Sequence, residues 1–383
     1  MTGPLHGYTI LEIAGIGPGP FAAMMLADMG ANVIRVDRTN GVSRGTTPDS
    51  QNLDVLNRGR RSVAVNLKSP DGVETVLKMV EQADALVEGF RPGVAERLGI
   101  GPDTCLERNP KLVYGRMTGW GQDGPYAQEA GHDINYIALA GVLAHLGRAG
   151  SKPTPPLNLV ADFGGGGMLL AFGVVCGLLE AQRSGRGQSI DAAMVDGSSL
   201  LMTMMYAFRA QGWLHPERGT NVLDTGAWFY DTYECADGRF ISLGSLEPQF
   251  FAALLRTTGL DQDGDIPHQM DQSQWGPMKE RLAEVIKRKT RDEWCEIMEG
   301  QDVCFAPVLS MEEAAQHPHN VHRRTFTEVE GILQPSPAPR FSRTEPEIGS
   351  PPANPGQHTT EVLAEFGFDE SDITKLRDAD AVV

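Results

Sequence analysis

The chain has 383 residues, enough for two domains, with an ordinary apolar fraction and a net charge of −17. That charge argues against nonspecific binding to nucleic acid, because no surplus of Lys and Arg exists to displace counterions. An anionic ligand must therefore be met by a local basic patch working against the global field. Five cysteines, Cys105, Cys176, Cys235, Cys295 and Cys304, are odd in number and lack the paired spacing of a zinc site. They read as free thiols in a reducing compartment, and no metal centre is expected. The start, Met1 to His6, has neither a basic cluster nor an apolar run, and the last six residues hold no peroxisomal tripeptide. The most apolar stretch, Met168 to Leu179, is too short and glycine-rich to span a bilayer, so a cytoplasmic protein without a membrane anchor is the expectation.

Residues 8–14 predict a buried strand, Gly15-Ile-Gly-Pro-Gly-Pro20 a turn, Phe21 to Met29 a helix, and 32–37 a second strand. Strands at 62–67, 85–89 and 112–117 alternate with helical patterns at 70–82 and 93–98, the grammar of a parallel sheet covered by helices. Pro20 stands where a dinucleotide fingerprint would carry its third glycine, which counts against NAD. An apolar helix is expected from Gly164 to Arg183, then a strand-like Gln188 to Asp191 and a long helix from Asp196 to Gln211. Residues 228–233 and 239–244 flank Asp237-Gly238, a hairpin signal, and helices follow at 248–258, 276–289 and 291–299. The proline-rich 335–355 is a surface return, and the amphipathic 359–378 docks back on the large domain. The expectation is an α/β chain: a large Rossmann-like domain with a parallel sheet from 1–195 and 330–383, a linking helix at 196–224, and a smaller α+β domain at 225–325.

Two segments carry candidate chemistry: Gly131-His132-Asp133-Ile134-Asn135-Tyr136, and Asp162 with four glycines close behind it. An imidazole and a carboxylate facing one carbon acid can each remove or return a proton, which inverts a stereocentre without redox chemistry. A His-Asp dipeptide is also a common satisfied surface or core pair. Asp162 is expected to open its helix, so that its own N–H and the positive helix end face a substrate oxygen.

Taken together, Gly15–Pro20, Val33-Ile-Arg-Val-Asp-Arg38, Asn57-Arg-Gly-Arg-Arg-Ser62 with Val65-Asn-Leu-Lys68, Glu88-Gly-Phe-Arg-Pro-Gly-Val94, Met117-Thr-Gly-Trp-Gly121, the Gly131–Tyr136 block, Asp162 and Gly244-Ser-Leu-Glu-Pro-Gln-Phe250 resemble the family III CoA-transferases over nearly the whole chain. Within that family the resemblance is to members that racemise 2-methylacyl-CoA thioesters. It implies an interlocked homodimer with a composite site, an acyl-CoA substrate, and no cofactor. It gives His132 and Asp162 opposite faces of the α-carbon, with Glu247, supplied across the dimer, orienting the imidazole. Asp133 is the alternative orienter. CoA contacts fall by resemblance on Gly17, Arg38, Val65, Asn66, Leu67, Lys68, Gly89, Phe90, Arg91, Arg97, Gly131, Asp133, Ile134, Asn135 and Tyr136, with Arg58, Arg60 and Arg61 thickening the positive patch. Met117, Met194 and Met205 offer an apolar surface to the acyl chain or serve as core packing. The rival readings are a CoA-transferase acylated at Asp162, an NAD(P) oxidoreductase on the same sheet, and a noncatalytic acyl-CoA binder.

Overall fold

A computed structural model of the protein describes residues 3–40 and 53–383, so Met1 and Thr2, part of the sequence reading, lie outside it. It divides into two compact units, one of residues 1–140, 157–201 and 322–383, the other of 141–156 and 202–321.

The first unit opens with β1 (Thr9–Ile13), α1 (Pro18–Asp28), β2 (Asn32–Asp37), β3 (Arg60–Ala64), α2 (Pro70–Val80), β4 (Ala85–Glu88), α3 (Val94–Arg97), α4 (Pro102–Arg108) and β5 (Val113–Thr118). After α5 (Asp133–Leu139), a ten-residue π-helix, Leu159–Met168, runs straight into α6 (Leu169–Ser184), followed by β6 (Gln188–Ala193) and α7 (Met194–Leu201). The strands form one sheet in the order β3-β2-β1-β4-β5-β6 with every neighbouring pair parallel, the doubly wound order expected of a Rossmann-like domain. Both faces are covered, so the central strands are buried along nearly their whole length rather than at alternate residues. Leu11, Ile34, Val63, Leu86 and Tyr114 meet the helices α2 and α4 on one face. The charges buried in this sheet are paired, as where Arg60 meets Glu12 at 2.7 Å with both side chains essentially out of solvent.

The π-helix corrects the expected helix start at Gly164. Its glycines are there for close approach. A Cβ on Gly165 would sit 2.6 Å from the Ser198 backbone N, one on Gly166 2.8 Å from the Ala161 carbonyl, and one on Gly167 2.7 Å from the Phe21 ring. The wide turn is thereby pressed between α1 and α7 with no side chain to hold them apart. Together, Leu159–Ser184 make a 26-residue helical run, long and apolar enough by length and composition to cross a membrane, where the sequence reading found the stretch too short. Leu170, Val174 and Leu178 of that run are buried within the unit.

In the second unit, α8 (Thr203–Ala210) is followed by β7 (Tyr230–Glu234), β8 (Phe240–Gly244), α9 (Pro248–Thr258), α10 (Trp275–Ile286), α11 (Arg291–Met298) and β9 (Phe305–Pro307). The antiparallel order is β7-β8-β9, and Asp237-Gly238 turns the first hairpin with Gly238 at φ 77°. Trp228, Phe229, Trp275 and Trp294 fill its core. The expected helix from 196 to 211 is two helices, because Met202 leaves helical geometry at ψ 3° between α7 and α8. Residues 141–156, placed by the sequence reading in the large domain, group with this unit: Arg148 grips Asp231 through two hydrogen bonds of 2.8 and 2.9 Å.

The short helices α12 (Met311–Gln316) and α13 (Pro318–Arg323) return the chain to the first unit, where β10 (Phe326–Val329) and β11 (Ile332–Pro335) pair antiparallel. The last helices, α14 (Thr359–Glu365) and α15 (Glu370–Asp378), bury Val362, Leu363, Phe366 and Ile373 in the same core as β1 and β2. The amphipathic tail does dock on the large unit.

Candidate active site

A cleft of about 400 Å³ opens at the carboxyl ends of β1, β4 and β5. This is the crevice where strand order reverses, between β1 and β4, and where open α/β sheets take their ligands. Gly15 to Pro20 form one wall, Gly89 to Pro92 a second, and Met117 to Trp120 a third, while Gly131, His132, Tyr136, Asp162 and Met194 complete it.

His132 is exposed and caps the start of α5. Its backbone N–H donates to Asn135 Oδ1 at 3.1 Å, so the side chain of Asn135 is used in holding the turn. Tyr136 donates its hydroxyl to the Gly131 carbonyl and meets Trp120 edge-on, centroids 4.7 Å apart. A Cβ at Gly119 would lie 2.2 Å from that tyrosine ring, so only glycine admits it. Burial, with the nearby Asp162 charge second, pushes the Tyr136 phenol up to about 12, which keeps it neutral. The His132 loop is thus anchored from both sides by an uncharged ring.

Asp162 is the fourth residue of the π-helix and half-buried. Burial raises its carboxyl above the usual range and the Asp133 charge adds to this, while a hydrogen bond from Asn158 and the proximity of His132 oppose it. A general base at a carbon acid gains from such a rise. Gly17 borders it: a Cβ there would stand 3.7 Å from Asp162 Oδ2, and φ of 70° makes glycine the natural occupant. Helix α1 starts at Pro18 rather than at the expected Phe21, because two prolines preset its first turn.

The expectation that the Asp162 N–H faces a substrate oxygen is overturned. Both the Asp162 and the Ala161 N–H donate to Asp133 Oδ2, at 2.8 and 2.7 Å. A π-helix that begins three residues earlier leaves Asp162 inside the helical run, not at its mouth. The same bonds commit Asp133 Oδ2 to that backbone.

The remaining expected residues divide. Gly89, Phe90 and Arg91 follow β4 on the cleft wall, and Met117 and Met194 line it while nearly buried. Glu247 is exposed at the start of α9 and Met205 lies on α8, both in the second unit. Arg38, Lys68, Arg91 and Arg97 are exposed, and among the described residues no carboxylate pairs with them. Val65 is buried and Asn66 donates to the Asp380 carbonyl at 3.3 Å, which ties that segment to the C-terminal tail, while Leu67 packs against the core. Ile134 is exposed on α5. The positive patch expected from Arg58, Arg60 and Arg61 does not exist. Arg58 pairs with Asp28, Arg60 with Glu12 and Arg61 with Glu365, since a guanidinium in or beside a sheet must be neutralised.

Among the cleft residues without a role in the sequence reading are Glu12, Glu88 and Trp120. Glu88 is buried, accepts from the Phe90 N–H at 2.6 Å and from Arg116 at 3.2 Å, and burial raises its carboxyl above the ordinary value. The signal was available, since a carboxylate inside or closing an apolar strand is a group that needs a partner.

The comparisons agree with this geometry. A profile described as CoA-transferase family III matches residues 5–359. Alpha-methylacyl-CoA racemase of Mus musculus is 47% identical over 97% of this chain and 96% of its own. The Homo sapiens racemase is 44% identical over the same shares, 97% and 96%. A CAIB/BAIF family protein from Brucella suis superposes with a TM-score of 0.83 at 24% identity, covering 96% of this chain and 100% of its own, a likeness of fold. On a family match that spans both units and relatives aligned almost end to end, the chain belongs to the family III CoA-transferases.

Proposed function

We propose that this chain epimerises 2-methylacyl-CoA thioesters by 1,1-proton transfer through an enolate, as an isomerase, the activity named for its mouse and human relatives. The observation that carries the reading is that an exposed imidazole, His132, and a half-buried carboxylate, Asp162, line one cleft. With one epimer Asp162 takes the α-proton and His132 returns one to the opposite face; with the other epimer the roles exchange. Each positioned acid/base group contributes roughly 10²–10⁴-fold. With the Asp162 N–H committed to Asp133, the enolate oxygen falls to the first N–H groups of α5, beside the imidazole. Arg38, Lys68, Arg91 and Arg97, exposed and with no carboxylate partner among the described residues, meet the CoA phosphates and adenine, as a chain of net charge −17 requires of any anion site.

The working unit in this reading is an interlocked homodimer. Phe172 is 67% and Leu179 60% exposed on α6, an apolar surface that a second copy would cover. Exposed Glu247 orients the imidazole of the other subunit. All five cysteines are unpaired, which supports a reducing compartment such as the cytoplasm. Proton transfer at carbon needs no electron carrier, so activity survives chelation and dialysis.

One epimer of a 2-methylacyl-CoA in deuterated water tests the reading, with inversion and α-deuterium uptake followed together. Inversion with deuterium uptake is the expected result. Acyl capture on Asp162 by hydroxylamine, without inversion, points to CoA transfer instead.

A further inference from the structure

Asp133 is 4% exposed, and its two oxygens have different fates. Oδ2 accepts two hydrogen bonds from consecutive backbone N–H groups, Ala161 at 2.7 Å and Asp162 at 2.8 Å. Oδ1 is buried with no hydrogen-bond partner among the described residues. The polar capacity that this carboxylate uses is therefore aimed at one place, the turn that carries Asp162. Its own backbone is the residue after His132, whose geometry is fixed by the Asn135 cap and by Tyr136 on the Gly131 carbonyl. In a π-helix whose neighbouring turns are glycine, few side chains can otherwise hold that backbone in place.

We propose that Asp133 is a positioning residue for the reaction, its carboxylate locking the backbone that carries Asp162 to the turn that carries His132. The inference rests on the reading of His132 and Asp162 as the two acid/base groups. Two bases that must reach opposite faces of one carbon need a fixed separation, and the α-carbon cannot follow a base that drifts. The groups around Asp162 leave this task to Asp133: Asn158 holds only its side chain, and Tyr136 serves the His132 loop.

The test compares Asp133→Ala and Asp133→Asn in the full-length protein by amide hydrogen exchange across Leu159–Met168 and by α-proton washout from each epimer of 2-methyldecanoyl-CoA. Asparagine can accept the same two N–H groups through its side-chain oxygen; alanine cannot. In the alanine variant, protection at Ala161 and Asp162 falls and washout drops roughly 10²-fold for both epimers, in kcat rather than KM. The asparagine variant keeps the protection and regains most of kcat. Washout in the alanine variant within about threefold of wild type, far short of the loss expected from a misplaced base, overturns the proposal. So does loss of washout with Ala161 and Asp162 still protected, or an asparagine variant no better than alanine. Should the alanine protein fail to fold, Asp133→Ser, too short to span both N–H groups, gives the same comparison. If wild type itself neither exchanges nor inverts, the proposed function fails, while the amide exchange still reports whether Asp133 holds the turn.

Discussion

Asn158 donates from its Nδ2 to Asp162 Oδ2 at 3.2 Å, one turn earlier on the same segment. This bond favours the ionised carboxylate against the burial that raises its pKa. The sign of a substitution follows. Asn158→Ala removes a stabiliser of the charged form, so the Asp162 carboxyl rises further, and the acidic limb of kcat/KM for the epimer deprotonated by Asp162 moves to higher pH. A pH profile of α-proton washout checks this, and a limb that stays put or moves to lower pH contradicts it.

Asp162→Asn keeps the side-chain volume and the Asp133 bond to its backbone, yet removes the proton acceptor. Washout and inversion should fall by at least about 10²-fold while the affinity for a CoA thioester stays near wild type. Stopped-flow or calorimetric binding beside the washout assay separates the two. A variant that keeps more than about a tenth of wild-type kcat shows Asp162 to be misassigned.

Glu247 stands exposed at the start of α9, in a different unit from His132. In an interlocked dimer, co-expressed His132→Ala and Glu247→Ala chains should yield heterodimers with one intact pairing between His132 and the partner subunit's Glu247. Such heterodimers regain activity that neither parent homodimer has, provided that loss of the orienting carboxylate is severe. Purified, stable heterodimers that recover nothing would show the cross-subunit assignment to be wrong.

Arg60 donates to Glu12 at 2.7 Å and to the Pro20 carbonyl at 2.8 Å, beneath the glycine-proline wall of the cleft. Arg60→Met leaves a buried carboxylate without its counter-charge, and stability should fall by about 3–5 kcal/mol. Urea denaturation measures it as a lower midpoint. Adding Glu12→Gln to the same chain removes the stranded charge and should recover part of the loss; a double variant no better than the single would mean that the pair is not coupled.

The parallel sheet was legible because buried strands and amphipathic helices alternate along residues 8–118 with periods set by local geometry. His132, Asp162 and the Gly15–Pro20 turn were legible for a similar reason: residue type and order carry the chemistry and the turn. The partners of charged groups were not. Arg58, Arg60 and Arg61 look alike in sequence, but Asp28, Glu12 and Glu365, which neutralise them, lie 30, 48 and 304 residues away, and only folding brings them near. The role of Asp133 was hidden likewise, because its two donors are 28 and 29 residues distant and belong to a π-helix that no sequence period announces. Sequence by itself determined the alternation of strands and helices in the sheet domain and which residue types on offer can move a proton. Tertiary structure decided which oxygen meets which N–H, because burial makes every charge and every polar group seek a partner wherever the fold supplies one.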